Sequence, residues 1–180
     1  IPAIVLKICA PELAPTLTRL FRLSLKTGQV PKSWKQANVQ PVPKKGSRAD
    51  PVNYRPISIT SLLCKSMERI LNVRLMTYLE ENDPLSDRQY GFRRRRSTGD
   101  LLAYVTHICS EAIERHGETL AVSLDISKAF DRVWHDSLIS KLPAYGLPVG
   151  LCAWIADFLR DRSIRVVIDG RTSDQKAINA

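Results

Sequence analysis

The sequence predicts a mixed α/β (α+β) protein with a helix-rich N-terminal half. Apolar stripes with helical spacing run through residues 11–26 and 61–81, and alternating apolar residues at 37–43 and 119–126 predict strands. The dipeptide Asp169-Gly170 stands between two short apolar segments and is the strongest short signal for a β-hairpin turn. The chain has 180 residues, of which 44% are hydrophobic, so it can bury a core.

The first elements are predicted to be a helix and a short strand. Helix 11–26 carries its leucines on one stripe, Gly28 ends it, and Pro31 prevents it from resuming. Residues 37–43 alternate but contain two prolines, which sheets tolerate at their edges, so we expect an edge strand there. A basic loop at 44–53 follows.

Two longer helices are predicted next. The segment 61–81 shows the longest helical pattern, and Pro84 lies just beyond its end. A second helix begins at Ser97, because Ser97 and Asp100 have the spacing of a capping box. Gly117 is placed to end that helix.

The last third of the chain is predicted to contain a strand, helices and a hairpin. The strand at 119–126 is followed by helical segments around 129–133 and 136–145, and by a helix at 148–159. The hairpin at 165–178 closes the pattern, with its return strand running from Thr172 to Ile178.

Cysteines and tryptophans are predicted to be packing residues. The four cysteines are far apart and form no C-x-x-C pair, which argues against a zinc cluster and against a disulfide framework. They suit small core positions in a reducing compartment. The residues concerned are Cys9, Cys64, Cys109, Cys152, Trp34, Trp134 and Trp154.

Charge points to a polyanionic partner. The net charge is +9 at pH 7 and the isoelectric point is about 9.7, which favours nucleic acid over a merely basic protein. No apolar run approaches the length of a membrane span. We therefore expect an intracellular, nucleic-acid-binding protein with no membrane partner.

A carboxylate at the end of a predicted strand is the first candidate for chemistry. Asp125 ends the strand at 119–126, and a short turn leads to a second carboxylate, Asp131, which we interpret as structural. Mg²⁺ is held by few protein carboxylates and leaves room for substrate phosphates. The alternative is that Asp125 caps a helix beginning near Ala129. Phe130 is on its spacing alone a core residue.

Arginines supply the other candidates. Arg55 precedes Pro56, which favours an extended backbone that can present a guanidinium to a phosphate; the alternative is a solvated surface arginine. The run at 93–96 should not pack and is either a solvated loop or a nucleic-acid contact.

Three segments together resemble a known family. They are, in order, Asn53-Tyr54-Arg55-Pro56-Ile57-Ser58, then Gln89-Tyr90-Gly91-Phe92-Arg93 with Ser97-Thr98 behind it, then Asp125-Ile126-Ser127-Lys128-Ala129-Phe130-Asp131. They resemble two fingers motifs and the first catalytic motif of reverse transcriptases from non-LTR (LINE-type) retrotransposons. The resemblance covers about Pro31 to Ala180. It implies a right-hand polymerase, with residues 1–118 as fingers and N-terminal extension and 119–180 as the first part of the palm.

The resemblance also implies a nucleotide site. Asp125 would be a ligand to both of two Mg²⁺ ions, and the backbone carbonyl of Ile126 would be a further ligand to the nucleotide-bound ion. Phe130 would lie beneath the incoming sugar and exclude a 2′-OH. Lys128 and Ala129 would lie along the triphosphate through their backbone.

Phosphate and template contacts are implied as well. Arg55 would contact the γ-phosphate, and either Lys44 or Lys45 would be the second phosphate contact. The implied template-binding residues, with Gln89 and Phe92 holding the loop in place, are Gln89, Phe92, Arg93, Arg94, Arg95 and Arg96.

The implied function is RNA-directed DNA synthesis, with an RNA template, a DNA primer and deoxynucleoside triphosphates as partners. The family's Gly-x-Pro-Gln-Gly segment and Asp-Asp hairpin are not in these 180 residues. We therefore expect a partial domain, inactive by itself, with the remaining palm and thumb in the same polyprotein, and a nuclear location during integration. The alternative is a non-catalytic nucleic-acid-binding remnant or co-opted domain. An RNA-dependent RNA polymerase is disfavoured because Phe130 would exclude ribonucleotides.

Overall fold

The computed structural model describes residues 2–82 and 84–178, so the last two residues of the predicted palm segment lie outside the described residues. The chain divides into two compact units. The first comprises the chain up to residue 71 together with the chain from residue 131 on, and the second comprises residues 72–130. Among the described residues, no helix is long and apolar enough to cross a membrane.

The described residues contain six α-helices. They are α1 (Ala3–Ile8), α2 (Ala10–Thr27), α3 (Leu62–Glu81), α4 (Thr98–His116), α5 (His135–Lys141) and α6 (Val149–Leu159). Of these, α2 to α6 lie close to segments that the sequence predicts, whereas α1 was not predicted. Gly28 ends α2 in a left-handed conformation with φ 67°, and its N–H donates to the carbonyls of Leu25 and Ser24. The helical segment predicted at 129–133 is a 3₁₀ turn at Ala129–Arg132, and the one predicted at 136–145 consists of α5 followed by a 3₁₀ turn at Leu142–Tyr145.

The first unit contains a small mixed sheet. Its strands are β1 (Gln36–Pro43), β2 (Tyr54–Ile59), β3 (Ser163–Ile168), β4 (Arg171–Thr172) and β5 (Lys176–Ala177). β1 pairs antiparallel with β2 and parallel with β3, while β4 and β5 both pair antiparallel with β3. The fold class is therefore as predicted, with helices and a small sheet in one chain.

The prediction that 37–43 is an edge strand is wrong, because β1 lies between β2 and β3. The prolines are accommodated by the extent of the pairing. Parallel pairing with β3 runs only from Gln36 to Val39, so Pro41 and Pro43 lie beyond it. On the other side Pro41 stands opposite Pro56 of β2, a position where neither residue has an N–H to donate.

The predicted hairpin turn forms, but its return strand is broken. Asp169 and Gly170 have φ values of 48° and 77°, the two left-handed residues that a type I′ turn requires. Instead of one strand from 172 to 178, the chain returns as β4 and β5. Between them Ser173 exchanges hydrogen bonds with Val166: the Ser173 N–H donates to the Val166 carbonyl, and Ser173 Oγ accepts from the Val166 N–H.

The core of the first unit lies between α2, α3 and α6. Its buried members are Val30, Trp34, Cys64, Met67 and Trp154. A hydrogen bond crosses the contact between α2 and α6, because Trp154 Nε1 donates to Ser24 Oγ at 2.9 Å, so the buried indole N–H has a partner. Of the predicted packing residues, Trp34 and Trp154 are buried, but Trp134 is 70% exposed.

The cysteines divide into two classes. Cys64 and Cys152 are buried as predicted, whereas Cys9 and Cys109 are only partly covered, and all four are free thiols.

In the second unit the strand predicted at 119–126 is absent. Residues 118–126 have no secondary structure, and Leu120 and Leu124 are 88% and 90% exposed. A strand is stabilised by its ladder partners, and no part of the described chain pairs with this segment. Its alternating side chains, which suggested the strand, are left in solvent.

Candidate functional site

Asp125 lies in the unpaired segment of the second unit. The Asp125 side chain is exposed, and neighbouring Ile126 is 70% exposed. Lys128 then adopts a left-handed backbone with φ 54°, and a 3₁₀ turn follows at Ala129–Arg132. No hydrogen bond to the Asp125 carboxylate occurs among the described residues, so the capping role considered as its alternative finds no support.

The described residues supply only part of a metal site. Within 2–82 and 84–178, no three His, Cys, Asp or Glu side chains come together in a way that could hold a metal ion. Asp125 offers a single carboxylate, and the Ile126 carbonyl a further oxygen. Two ions at a nucleotidyl transfer site need more carboxylates than one, so these residues alone do not fit the pair of ions that the resemblance implies.

Two aromatic rings come together near this segment. Phe92 and Phe130 meet edge to face, with ring centroids 6.4 Å apart and planes at 89°. Both side chains are nevertheless open to solvent, with exposures of 86% for Phe92 and 80% for Phe130. Phe130 is therefore not the core residue that its spacing alone predicts.

Arg55 and Lys44 belong to the first unit, on and beside β2. Arg55 stands opposite Val42 of β1, and Pro56 follows it in the extended strand, as the sequence predicts. Lys44 N–H donates to the Asn53 carbonyl at 2.6 Å, and Lys44 Nζ lies 3.4 Å from the carbonyl of Val52. Lys44 therefore helps to close the loop that joins β1 to β2.

This β1–β2 loop is built by its own polar side chains. Asn53 Nδ2 donates to the Ser47 carbonyl, Tyr54 Oη donates to the Arg48 carbonyl, and Asp50 Oδ1 accepts from the Val52 N–H, each at 2.9 Å. Gly46 is required here, since its φ is 118° and a Cβ would lie 2.9 Å from Asn53 Nδ2. The loop before Arg55 is thus ordered by contacts that spacing did not reveal.

The arginine run at 93–96 does not behave as one exposed stretch, and the expectation that none of it packs is wrong. The Arg96 guanidinium forms an ion pair with Asp87 at 3.0 Å, donates to the carbonyl of the same residue, and lies 5.3 Å from the centre of the Tyr90 ring. Tyr90 in turn lies against Tyr104 of α4. Arg96 therefore anchors the loop to itself and to the helix that follows.

Arg93 is the second packed member. Its side chain is 10% exposed, its Nη1 donates to the Ser86 carbonyl, and its Nε lies 4.0 Å from Glu80 at the end of α3. The Glu80 carboxylate also accepts from the Arg94 N–H at 3.2 Å. Arg94 and Arg95 project their side chains into solvent. The run thus has a structural arginine at each end and two exposed arginines between them.

The loop leads into α4 through the predicted capping box. The Ser97 N–H donates to Asp100 Oδ2 at 2.7 Å, and the Asp100 N–H donates to Ser97 Oγ at 3.2 Å. The Ser97 hydroxyl also donates to Asp100 Oδ2 at 2.7 Å, and this hydrogen bond, together with the one from the Ser97 N–H, lowers the pKa of the Asp100 carboxyl. Gly117 ends α4 with φ 79°, as predicted.

Comparison with known proteins accounts for the order of these segments. Residues 42–179 match the model of the reverse transcriptase (RNA-dependent DNA polymerase) family, and that range contains all of the predicted site residues. The chain belongs to the reverse transcriptase family.

Relatives of this reverse transcriptase chain come from non-LTR elements of insects. It is 35% identical over 165 residues to the RNA-directed DNA polymerase from mobile element jockey of Drosophila melanogaster, covering 91% of this chain and 18% of the relative. It is 34% identical over 168 residues to the Pol polyprotein of the type-1 retrotransposable element R2 of Popillia japonica, covering 91% of this chain and 23% of the relative. The chain thus spans about a fifth of the length of these relatives.

Several residues that shape the reverse transcriptase loops were missed by reasoning from the sequence. Glu80 and Asp87 hold the arginine loop, and Asp50 holds the loop before Arg55. Asp50 precedes a proline and lies two residues before the N–H that it accepts from, a turn signal that could have identified it. Glu80 contacts Arg93 and Arg94, which lie 13 and 14 residues further along the chain, and no local sequence pattern indicates such a contact.

Proposed function

We propose that this chain carries the fingers (1–118) and the first part of the palm (119–180) of an RNA-directed DNA polymerase from a non-LTR retrotransposon. The observation that carries the proposal is the family match over 42–179, within which the three motifs occur in order. The partners would be an RNA template, a DNA primer, deoxynucleoside triphosphates and the remaining palm and thumb of the same polypeptide. The place of action would be the nucleus.

Asp125 is proposed as one ligand of the metal pair. Two Mg²⁺ ions, when bound, would activate the primer 3′-OH and stabilise the leaving phosphate. Asp125 and the Ile126 carbonyl are exposed and free to take part. Because they do not fit the two ions by themselves, the remaining carboxylates would come from outside the described residues.

Several residues are proposed as candidates for binding the incoming nucleotide. Phe130 would place its ring beneath the sugar and leave no room for a 2′-OH. Lys128, with its left-handed backbone, and Ala129 would follow the triphosphate. Arg55 would pair with the γ-phosphate through its planar guanidinium. Lys44 or Lys45 would be the second cation; Lys44 has an acceptor within its own loop, whereas Lys45 has none among the described residues.

The template would run along the loop that holds Gln89 and the arginines. Arg94 and Arg95 are the members whose guanidinium groups are free for phosphates, while Arg93 and Arg96 keep the loop in shape. Gln89 Nε2 donates to the Gly91 carbonyl at 3.2 Å and supports the turn before them. Electrostatic attraction by free cations gives affinity that falls with added salt.

A chimera tests the polymerase proposal. Residues 1–180 would replace the matching segment of the Drosophila melanogaster jockey polymerase, and Mg²⁺-dependent primer extension on an RNA template would be measured. We expect the chimera to extend the primer, Asp125→Asn to abolish extension, and Asp131→Asn, a matched loss of one charge six residues away, to retain it. Extension that survives Asp125→Asn would refute the assignment of Asp125.

A non-catalytic nucleic-acid-binding role is the second candidate. The net charge of +9 favours it, because positive charge attracts the phosphates of nucleic acid. In the same assay, this role predicts that the chimera binds the template and the primer but does not extend the primer. Residues 1–180 alone are expected to bind RNA without extending a primer under either proposal.

A further inference from the structure

The backbone of Phe92 is strained in a place where packing does not require it. Its φ is 60°, a left-handed conformation that is costly for a bulky side chain. The ring is 86% exposed, so the strain is not compensated by burial. Gly91, which could adopt that conformation without cost, stands one residue earlier and does not have a positive φ. Strain of this kind at an exposed loop tip is typical of a binding residue.

The arginines that follow Phe92 fall into two groups, packed and exposed. Arg93 and Arg96 are fixed by Glu80, Ser86 and Asp87. The side chains that remain exposed to solvent in this loop include those of Phe92, Arg94 and Arg95. Among the described residues, neither of these two arginines forms an ion pair. One aromatic ring beside two free guanidinium groups is the combination by which proteins bind single-stranded nucleic acid.

Packing against Phe130 does not explain why the Phe92 ring lies where it does. Two rings that packed for stability would cover one another, yet both remain more than three-quarters exposed. The edge-to-face arrangement, with planes at 89°, uses the edge of one ring and leaves a face free for a planar group.

We propose that Phe92 stacks on an unpaired nucleobase of an RNA strand, while Arg94 and Arg95 contact the phosphates beside that base. Phe92 is then a binding residue rather than a support for the loop. The inference rests on the proposed function, since the strand would be the template. It adds a component of affinity that is independent of salt, because stacking does not displace counterions.

Fluorescence anisotropy on the full chain tests this proposal with two matched probes. One is a short labelled RNA single strand, and the other is an abasic strand of equal length, which keeps every phosphate but has no base. Phe92→Leu retains an apolar side chain and the left-handed strain but removes the ring. We expect it to weaken RNA binding about tenfold without changing the salt dependence, and to leave binding of the abasic strand unchanged. Phe92→Trp should restore RNA binding.

The arginine variants separate this inference from the proposed function. Arg94→Ala and Arg95→Ala should weaken both probes and each reduce the slope of log affinity against log salt by about 0.7. If these variants weaken binding and Phe92→Leu does not, stacking is refuted, but the proposal that the arginine loop binds the template is retained. If none of these three variants changes RNA binding, or if the unsubstituted chain binds no RNA, both the stacking of Phe92 and the proposal that the arginine loop binds the template are refuted.

Discussion

Lys35 and Asp157 form an ion pair at 2.9 Å between the segment that precedes β1 and helix α6, 122 residues apart in sequence. The Lys35 side chain is 8% exposed, and the Asp157 carboxylate also accepts the Val30 N–H at 2.7 Å. Burial by itself would raise the pKa of the Asp157 carboxyl. The hydrogen bonds from Val30 and Lys35, and the charges of Lys35 and Arg160, outweigh burial and lower that pKa below its ordinary value.

This pair predicts a pH-dependent contribution to stability. Because the folded pKa of Asp157 is depressed, its contribution is present above the unfolded carboxyl value of about 3.9 and is lost as the pH falls through the folded value. Asp157→Asn should lower the free energy of unfolding by about 1–3 kcal/mol at pH 7, and this difference should shrink below about pH 4. Urea unfolding at several pH values measures it. Asp161→Asn, the same charge change at an exposed site, is the control; an equal, pH-independent loss in both variants would contradict the prediction.

Met67 is predicted to carry much of the stability of α3. It is 1% exposed in the core of the first unit. Met67→Ala should cost about 2–5 kcal/mol because it removes buried surface and leaves a cavity. Ile70→Ala, on the same helix but 54% exposed, should change stability by no more than about 0.5 kcal/mol. Chemical denaturation measures the free energy of unfolding of both variants. A similar loss of stability in both would contradict the burial of Met67 in the core.

The cysteines are predicted to differ in reactivity. Burial raises the pKa of the Cys64 thiol to about 12, and the hydrogen bond to Glu68, with the charge of that carboxylate, acts in the same direction. Since the thiolate is the reactive form, iodoacetamide at pH 8 should modify Cys9 and Cys109 in the native chain and spare Cys64 and the buried Cys152. Peptide mass mapping gives the sites. All four should react in denaturant, and rapid native labelling of Cys64 would disprove its burial.

Gly170 and Gly150 should respond to alanine in opposite directions. At Gly170 a Cβ meets no atom within 4 Å, but φ is 77°, so Gly170→Ala should destabilise the hairpin by about 1–2 kcal/mol through backbone strain. At Gly150, in α6, there is equal space without a positive φ, so Gly150→Ala should stabilise the chain by about 0.4–1 kcal/mol. Thermal melts compare the two, and a shift in the same direction for both would refute the turn assignment.

Arg96 and Arg95 test the division of the arginine run. Arg96→Ala removes the ion pair with Asp87 and the contact with Tyr90, so it should lower the melting temperature of the chain by a few degrees. Arg95→Ala, its exposed neighbour, should leave the melting temperature unchanged. Differential scanning calorimetry suffices, and equal melting temperatures for the two variants would mean that Arg96 is as free as Arg95.

The sequence predicted best those features that depend on neighbours in the chain. Gly28, Gly117 and the Ser97 capping box end or begin helices within a turn of themselves, and Asp169-Gly170 fixes its own hairpin. Its motifs also identified the family before any comparison, as the match over 42–179 agrees.

Features that depend on distant partners were predicted poorly. β1 is interior only because β3 arrives beside it from far along the chain, and 119–126 is not a strand because no described segment pairs with it. Arg93 is packed because Glu80 reaches it from the end of α3. The roles of Asp125 and Phe130 depend on ligands, and they stay predictions.

The parallel pairing of β1 with β3 has a consequence for how the chain is made. Arg165 Nε donates to Asn38 Oδ1 at 2.7 Å across 127 residues, so this strand pair closes a very large loop, whose entropy must be lost before its contacts form. A ribosome delivers residues at about 5–20 per second. The β1–β2 hairpin can therefore form soon after it emerges, but the second side of β1 has to wait several seconds for β3. During that interval the nascent chain carries an open strand edge, and an early stop in translation would leave it open for good.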